Sequence, residues 1–170
     1  MSETKSLEGL HIVKLPLGGI RAELDRFFDP DFIDSVGPRA YDMIGNVEGF
    51  ELVEVGDPNR GDFRCVQYVF ARNKREPWAK EDERIEIFKD PVDFLTTVGY
   101  IPLRTGEYPI NGDVIAYGTI QNGNPLFKLG HLGVLDKDKV VSKFNEGHVF
   151  RHPIAGIPHH FGSQALFFRK

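Results

Sequence analysis

The chain has 170 residues, 41% of them hydrophobic, which is enough for one domain with a single core. Its formal net charge is -4, and its acidic and basic residues are mixed along the chain, which excludes a basic surface for nucleic acid. Its single cysteine excludes an intramolecular disulfide and a multi-cysteine zinc site. No apolar run approaches the ~20 residues of a membrane span, and the N-terminus lacks a signal-type apolar segment, so we expect a cytoplasmic protein.

Residues 1–60 predict one helix and one strand. Apolar residues at helical spacing predict a helix over 20–28. Residues 30–60 are rich in glycine and proline, so we expect mostly loop and turn there. The alternating run Phe50–Val55 is the exception and predicts a strand.

Two further helices are predicted in the middle of the chain. An apolar stripe at helical spacing follows Cys65 and predicts a short helix that starts near this residue. Asp90 and Pro91 form a cap followed by a proline at the first helical position. They predict a helix over 92–98 that Gly99 closes.

The C-terminal part predicts a small antiparallel sheet. Its strand-like runs are Val114–Tyr117, Leu132–Leu135, Val140–Lys143 and Ala165–Phe168. Turn residues at 121–125 and 136–139 suit a meander. The expected fold class is α+β, with helices first and the sheet second. We expect one domain over 1–170, with 1–60 as an N-terminal extension packed on a core at 62–168.

Cys65 is the candidate nucleophile. A cysteine reacts as the thiolate, and the positive end of a helix dipole lowers the pKa of a thiol at the helix start. The predicted helix places Cys65 at such a position. The alternative is that Cys65 is a small buried hydrophobic residue, which is the usual role of a lone cysteine.

His131 is the candidate proton carrier. It is expected to open a strand directly after the turn-rich segment 122–130. The alternative is a surface or partly buried histidine that happens to begin a strand.

Other polar residues suggest no further chemistry. The C-terminal histidines, His148, His152, His159 and His160, match no ligand spacing, so no metal or other cofactor is predicted. Asp113 follows a glycine in a turn and is expected to be structural, because such a carboxylate can bond nearby backbone N–H groups.

Several blocks in one order resemble the NlpC-type papain-like cysteine peptidases and amidases. Cys65 at a helix start, Asn111–Tyr117 and His131–Val134 are similar to the Cys, Gly-Asp-[Leu/Val] and His-[Val/Leu]-Gly-[Ile/Val] blocks of that family. Phe94–Tyr100, Ser142–Phe144 and His152–Pro153 resemble an uncharacterised papain-like branch. The resemblance covers residues 62–168 and implies a papain-like core, with helices packed on a small antiparallel sheet.

The resemblance also implies a third residue that orients His131. The family has a His, Asn or Asp on the strand after the catalytic histidine. This chain offers Ser142 there, with Lys143, Asn145 and His148 as alternatives.

Two functions follow from the resemblance. In the first, the chain is a cysteine-dependent hydrolase or acyl transferase: Cys65 attacks an amide, ester or thioester carbonyl, His131 transfers the proton, and Ser142 orients His131. Its substrate is a peptide, a protein or a small acyl or amide compound. In the second, the chain is a catalytically weak or inactive papain-like binding domain, which the ambiguous third residue favours.

Overall fold

The computed structural model describes residues 7–37, 39–56, 65–71, 90–120, 127–144 and 148–170. Two predicted features, the turn at 121–125 and the alternative site residue Asn145, lie outside the described residues.

Among the described residues, eight strands form one antiparallel sheet. In chain order they are β1 Ile12–Lys14, β2 Glu51–Glu54, β3 Ile101–Pro102, β4 Val114–Ile120, β5 Phe127–Asp136, β6 Lys139–Lys143, β7 Val149–Pro153 and β8 Gln164–Arg169. Their spatial order is β1, β8, β4, β5, β6, β7, β2, and β3 lies beside β8. Strands β4, β5 and β6 are neighbours in sequence and in space, so this part of the predicted meander is confirmed. The fourth predicted strand, Ala165–Phe168, lies in β8 beside β4, and β7, which was not predicted, follows β6 instead.

The described helices are short. They are α1 Ile20–Phe27, α2 Pro30–Val36, α3 Arg39–Ile44, α4 Cys65–Ala71 and α5 Pro91–Thr97, and a 3-10 turn spans His159–Phe161. Three of them, α1, α4 and α5, confirm predicted helices. Within the described ranges, no helix has the length and apolar character to cross a membrane.

The predicted fold class is wrong. An α+β papain-like core was expected, with N-terminal helices on a small sheet, whereas the structure is mostly a large antiparallel sheet with few short helices. The N-terminal region supplies strands at both ends of this sheet, β1 beside β8 and β2 beside β7. Strand β1 has three residues, too few for a periodic pattern, and its conformation depends on pairing with β8.

Two Asp-Pro pairs begin helices by the same chemistry. The side chain of Asp29 accepts a hydrogen bond from the Asp31 backbone N–H at 2.9 Å, and Pro30 is the first residue of α2. At the start of α5, the side chain of Asp90 accepts a hydrogen bond from the Asp93 backbone N–H at 3.0 Å, and Pro91 is the first residue of the helix. Proline is tolerated there because the first helical N–H groups have no partner within the helix. The expectation of loop over 30–60 therefore missed α2 and also α3.

The sheet has two apolar faces because side chains alternate along each strand. The face that carries His131 is called the histidine face; it includes Ile115, Tyr117 and Leu135 and is covered by Leu24, Phe27 and Ile44 from α1 and α3. The opposite, cysteine face includes Val114, Ala116, Leu132 and Val134 and is covered by Cys65, Val92 and Leu95 from α4 and α5.

A buried arginine fixes α1 on the histidine face. Arg21 has no exposed surface. Its Nε donates to the Ile157 carbonyl at 3.1 Å, Nη1 to the Pro16 carbonyl at 3.0 Å, and Nη2 to the Gly162 carbonyl. Burial lowers the pKa of Arg21, and the nearby Asp25 opposes that shift. The guanidinium thus joins α1 to both ends of the 3-10 turn.

We expect Arg21→Met to lower the free energy of unfolding by about 2–4 kcal/mol, because it leaves buried carbonyls without donors. Urea unfolding followed by circular dichroism measures this. Arg26→Met, on the exposed side of the same helix, is the matched control and should cost less than about 0.5 kcal/mol. Equal losses in the two variants would contradict the structural role of Arg21.

Candidate functional site

Cys65 lies on α4, the helix that the sequence predicts, and the residues directly before it lie outside the described residues. The residue is buried, with 8% of its surface exposed, and it packs in the apolar cluster of the cysteine face. Val69, one turn later on α4, and Leu132 and Val134 of β5 belong to the same cluster. The thiol therefore lies against the sheet among apolar side chains.

His131 lies within β5 rather than at its start. It pairs with Tyr117 of β4, and the register shifts at the next residue, Gly118. Its ring stacks on Phe161, with centroids 4.5 Å apart and an angle of 14°. Phe144 lies 5.4 Å away by the same measure. His131 is 1% exposed, and its Nε2 has no hydrogen-bond partner among the described residues.

The structure does not bring Cys65 and His131 together. His131 contacts aromatic side chains of the histidine face, whereas Cys65 belongs to the cluster on the cysteine face. Leu132, the next residue along β5, is the one that faces the cluster of Cys65. The sheet itself separates the thiol from the imidazole, so this arrangement offers no proton transfer between them.

Ser142 is bonded to His152 and not to His131. The Oγ of Ser142 lies 2.6 Å from Nε2 of His152, and Nδ1 of His152 lies 2.7 Å from the Pro153 carbonyl oxygen. Because a carbonyl only accepts, Nδ1 carries the proton and Nε2 accepts the hydroxyl proton of Ser142. Both side chains are fully buried, and Phe50 stacks on the His152 ring at 5.3 Å. The structure thus corrects the predicted role of Ser142.

Burial keeps both core histidines neutral. Desolvation lowers the pKa of His152 to about 4, against the opposing effect of the Pro153 carbonyl and with a smaller contribution from Lys139. Desolvation also holds the pKa of His131 well below its usual range, and nearby His152 and His160 add to the shift. A base of such low pKa is poorly matched to proton transfer near neutral pH.

The other third-residue candidates are dispersed. Lys143 is 3% exposed and follows Ser142 on β6, so its side chain lies on the opposite, cysteine face. His148 lies 2.5 Å from Asp42 of α3. Among the residues that the structure describes, no group of three or more possible metal ligands comes together.

Asp113 is structural, as expected. Its carboxylate accepts two hydrogen bonds from Arg169, at 2.8 and 3.0 Å, and one from the Ile110 backbone N–H at 2.8 Å. These bonds hold the turn before β4 against the end of β8.

A cavity of about 400 Å³ lies between α5 and β3 and is called the β3 cavity. Apolar and small side chains line it, namely Leu10, Val92, Thr96, Ile101 and Pro102, with the charged Glu8 and Arg104. Ile101 is 67% exposed, and Arg104 forms no ion pair with another described residue. The residues of this site share no motif, so no local pattern in the sequence predicts it. An antiparallel bridge between Leu10 and Arg104 brings the distant segments together.

We expect the free energy of unfolding to fall as the pH drops from about 6.5 to about 4. In that range the unfolded chain binds a proton at His152 that the folded chain excludes, so acid favours unfolding. The pKa difference makes the contribution of His152 about 3 kcal/mol at the acid end.

Urea unfolding at several pH values measures this dependence. In His152→Gln the fall in the free energy of unfolding with pH should be smaller by most of the contribution of His152. His11→Gln, a control outside both apolar clusters, should show the same fall as the unmodified chain. A pH dependence that is the same in His152→Gln as in the unmodified chain contradicts the expectation.

No family model, curated protein or solved structure matches this chain. The resemblance to papain-like peptidases therefore has no support from these comparisons, and the case for a function depends on the geometry of the chain itself.

Proposed function

We propose that this chain is a binding domain whose ligand occupies the β3 cavity. The observation that carries the proposal is the cavity itself, of about 400 Å³ with mainly apolar walls. That volume lies in the range of cavities that hold small molecules, and such sites combine apolar walls with a few polar groups.

Both elements that form the walls of the β3 cavity, α5 and β3, are held in place by contacts with the rest of the fold. On one side, Val92 and the cap of α5 hold the helix, which is anchored in the core of the cysteine face. On the other side, β3 pairs with β8, and the Thr105 backbone N–H donates to the Gly9 carbonyl at 2.9 Å. A site with fixed walls loses little conformational freedom when a ligand enters it.

The lining suggests an apolar ligand with an anionic end. Exposed Ile101 and the neighbouring apolar side chains offer the body of such a ligand a surface away from water. Arg104 offers a guanidinium that is exposed and not already paired with a described carboxylate. Glu8 also lines the cavity, and its negative charge opposes the attraction of an anionic group to Arg104. Most of the affinity therefore comes from apolar contact.

We expect decanoate, used as a probe, to shift the backbone amide resonances of Leu10, Thr96 and Ile101 in two-dimensional NMR spectra. Thr96→Trp fills the cavity and should abolish these shifts. Thr97→Trp, the next residue of α5 and not part of the lining, should retain them. Shifts that are equally strong in Thr96→Trp, or no shifts at the cavity in the unmodified chain, contradict the proposal.

A second candidate is the cysteine-dependent hydrolase or acyl transferase. The position of Cys65 on the helix α4 favours it, because the hypothesis places the thiol on a helix. The location of His131 on the other face of the sheet opposes it. A hydrolase of this kind needs a proton acceptor close to the thiol.

Thiol reactivity separates the two candidates. We expect iodoacetamide to alkylate Cys65 slowly, because the residue is buried, and with the same pH profile in His131→Phe as in the unmodified chain. The rate is measured by mass spectrometry of the intact protein. Fast alkylation well below the free-thiol pKa of ~8.5, lost in His131→Phe, would favour the hydrolase and contradict the separation of the two residues.

A further inference from the structure

Two histidines join the N-terminal helices to later parts of the chain in the same way. Each imidazole has a carboxylate on one ring nitrogen and a glycine backbone N–H on the other. The first unit, called the Asp25 clip, contains Asp25, His159 and Gly18. The second unit, called the Asp42 clip, contains Asp42, His148 and Gly56.

In the Asp25 clip, Nδ1 of His159 lies 2.7 Å from Oδ2 of Asp25, and the His159 backbone N–H donates to Oδ1 at 2.7 Å. The Gly18 N–H donates to Nε2 of the same ring at 3.1 Å. The clip therefore connects α1, the segment before α1 and the 3-10 turn.

In the Asp42 clip the two ring nitrogens exchange roles. Nε2 of His148 lies 2.5 Å from Oδ1 of Asp42 on α3, and the Gly56 N–H donates to Nδ1 at 2.9 Å. This clip connects α3, the end of β2 and the start of β7.

Only a neutral imidazole satisfies these partners. A backbone N–H can only donate, so the ring nitrogen that faces glycine must have a free lone pair. A carboxylate accepts, so the other nitrogen must carry the single ring proton. A second ring proton would set a donor against the glycine N–H in both clips, while the contact with the carboxylate would become an ion pair.

We propose that the two clips form a proton-controlled latch: protonation of His159 and His148 releases the backbone of Gly18 and Gly56 while each histidine stays paired with its aspartate. The proton comes from solvent and adds to Nε2 of His159 and to Nδ1 of His148. No covalent bond breaks, and the change is the loss of one N–H···N hydrogen bond in each clip.

The surrounding charges support retention of the aspartate contact in the Asp25 clip. Burial tends to raise the pKa of Asp25, but hydrogen bonds from the side chain and backbone of His159 outweigh it and leave the pKa below its usual value. Asp25 thus stays ionised. The other charged or titratable groups near it are Arg21 on α1 and His160 in the 3-10 turn.

In the Asp42 clip, Asp42 is the charged partner on α3. On β2 the carboxylate nearest in sequence to Gly56 is Glu54, whose backbone pairs with Val149 of β7.

The backbone at Gly18 is suited to move once it is released. Gly18 has a φ of +76°, and no described atom outside residues 17–19 lies within 4 Å of the position that a Cβ would take. Gly56 follows β2, which is the last strand of the sheet. All residues of β2 are exposed. Acid should therefore loosen the backbone N–H groups of Gly18 and Gly56, while the Pro16 carbonyl stays bonded to Arg21 and the core stays folded.

Nuclear magnetic resonance tests the latch directly. At neutral pH we expect ¹⁵N–¹⁵N couplings across the N–H···N bonds from Gly18 to His159 and from Gly56 to His148. Both couplings should vanish when the solution is acidified, because the ring nitrogen that accepts from glycine then carries a proton. Amide exchange at both glycines, corrected for its intrinsic pH dependence, should rise about fivefold. The Leu132 amide in the core should stay protected throughout, which excludes global unfolding.

Glutamine variants provide the matched controls, because the amide of glutamine can accept from glycine and donate to aspartate without titrating. In His159→Gln the exchange response at Gly18 should disappear and that at Gly56 should remain, and His148→Gln should give the reverse. Absence of the couplings at neutral pH, or a Gly18 response unchanged in His159→Gln, overturns the proposal.

Discussion

The buried guanidinium of Arg21 is the interaction on which the histidine face depends. It has no exposed surface, and its carbonyl partners come from segments before α1 and on both sides of the 3-10 turn. Desolvation of an arginine is costly unless its donors are satisfied, so those segments are held in one arrangement. One of the carbonyls belongs to Gly162, where the chain enters β8.

The position of Gly162 in turn fixes the surroundings of His131. A Cβ on Gly162 would lie 2.2 Å from the Gly118 carbonyl oxygen, so only glycine allows this approach. Gly118 is the residue where β4 and β5 shift register, next to the pair of Tyr117 with His131. The 3-10 turn therefore sits against the irregular part of the sheet and places Phe161 on the His131 ring. The same contacts that stabilise the fold keep this histidine away from water and from the thiol.

Histidine serves mainly as a connector in this chain. His131 and His152 lie in the core as neutral rings, stacked on Phe161 and Phe50. Through aspartates, His148 links α3 to the start of β7, and His159 links α1 to the 3-10 turn. A neutral ring can donate with one nitrogen and accept with the other, so it satisfies two unlike polar groups at a helix-to-sheet junction. Three of the C-terminal histidines, His148, His152 and His159, thus have polar partners of this kind within the fold.

The sequence by itself determined the elements with local signals: the periodic helices α1, α4 and α5, the meander of β4 to β6, and the turn held by Asp113. It also placed Cys65 on a helix. Only the tertiary structure decided which face of the sheet each side chain occupies, because one register shift in β5 redirects side chains and leaves no trace in composition. The pairing of β1 with β8, and the β3 cavity, likewise depend on contacts between distant segments, which no local pattern encodes.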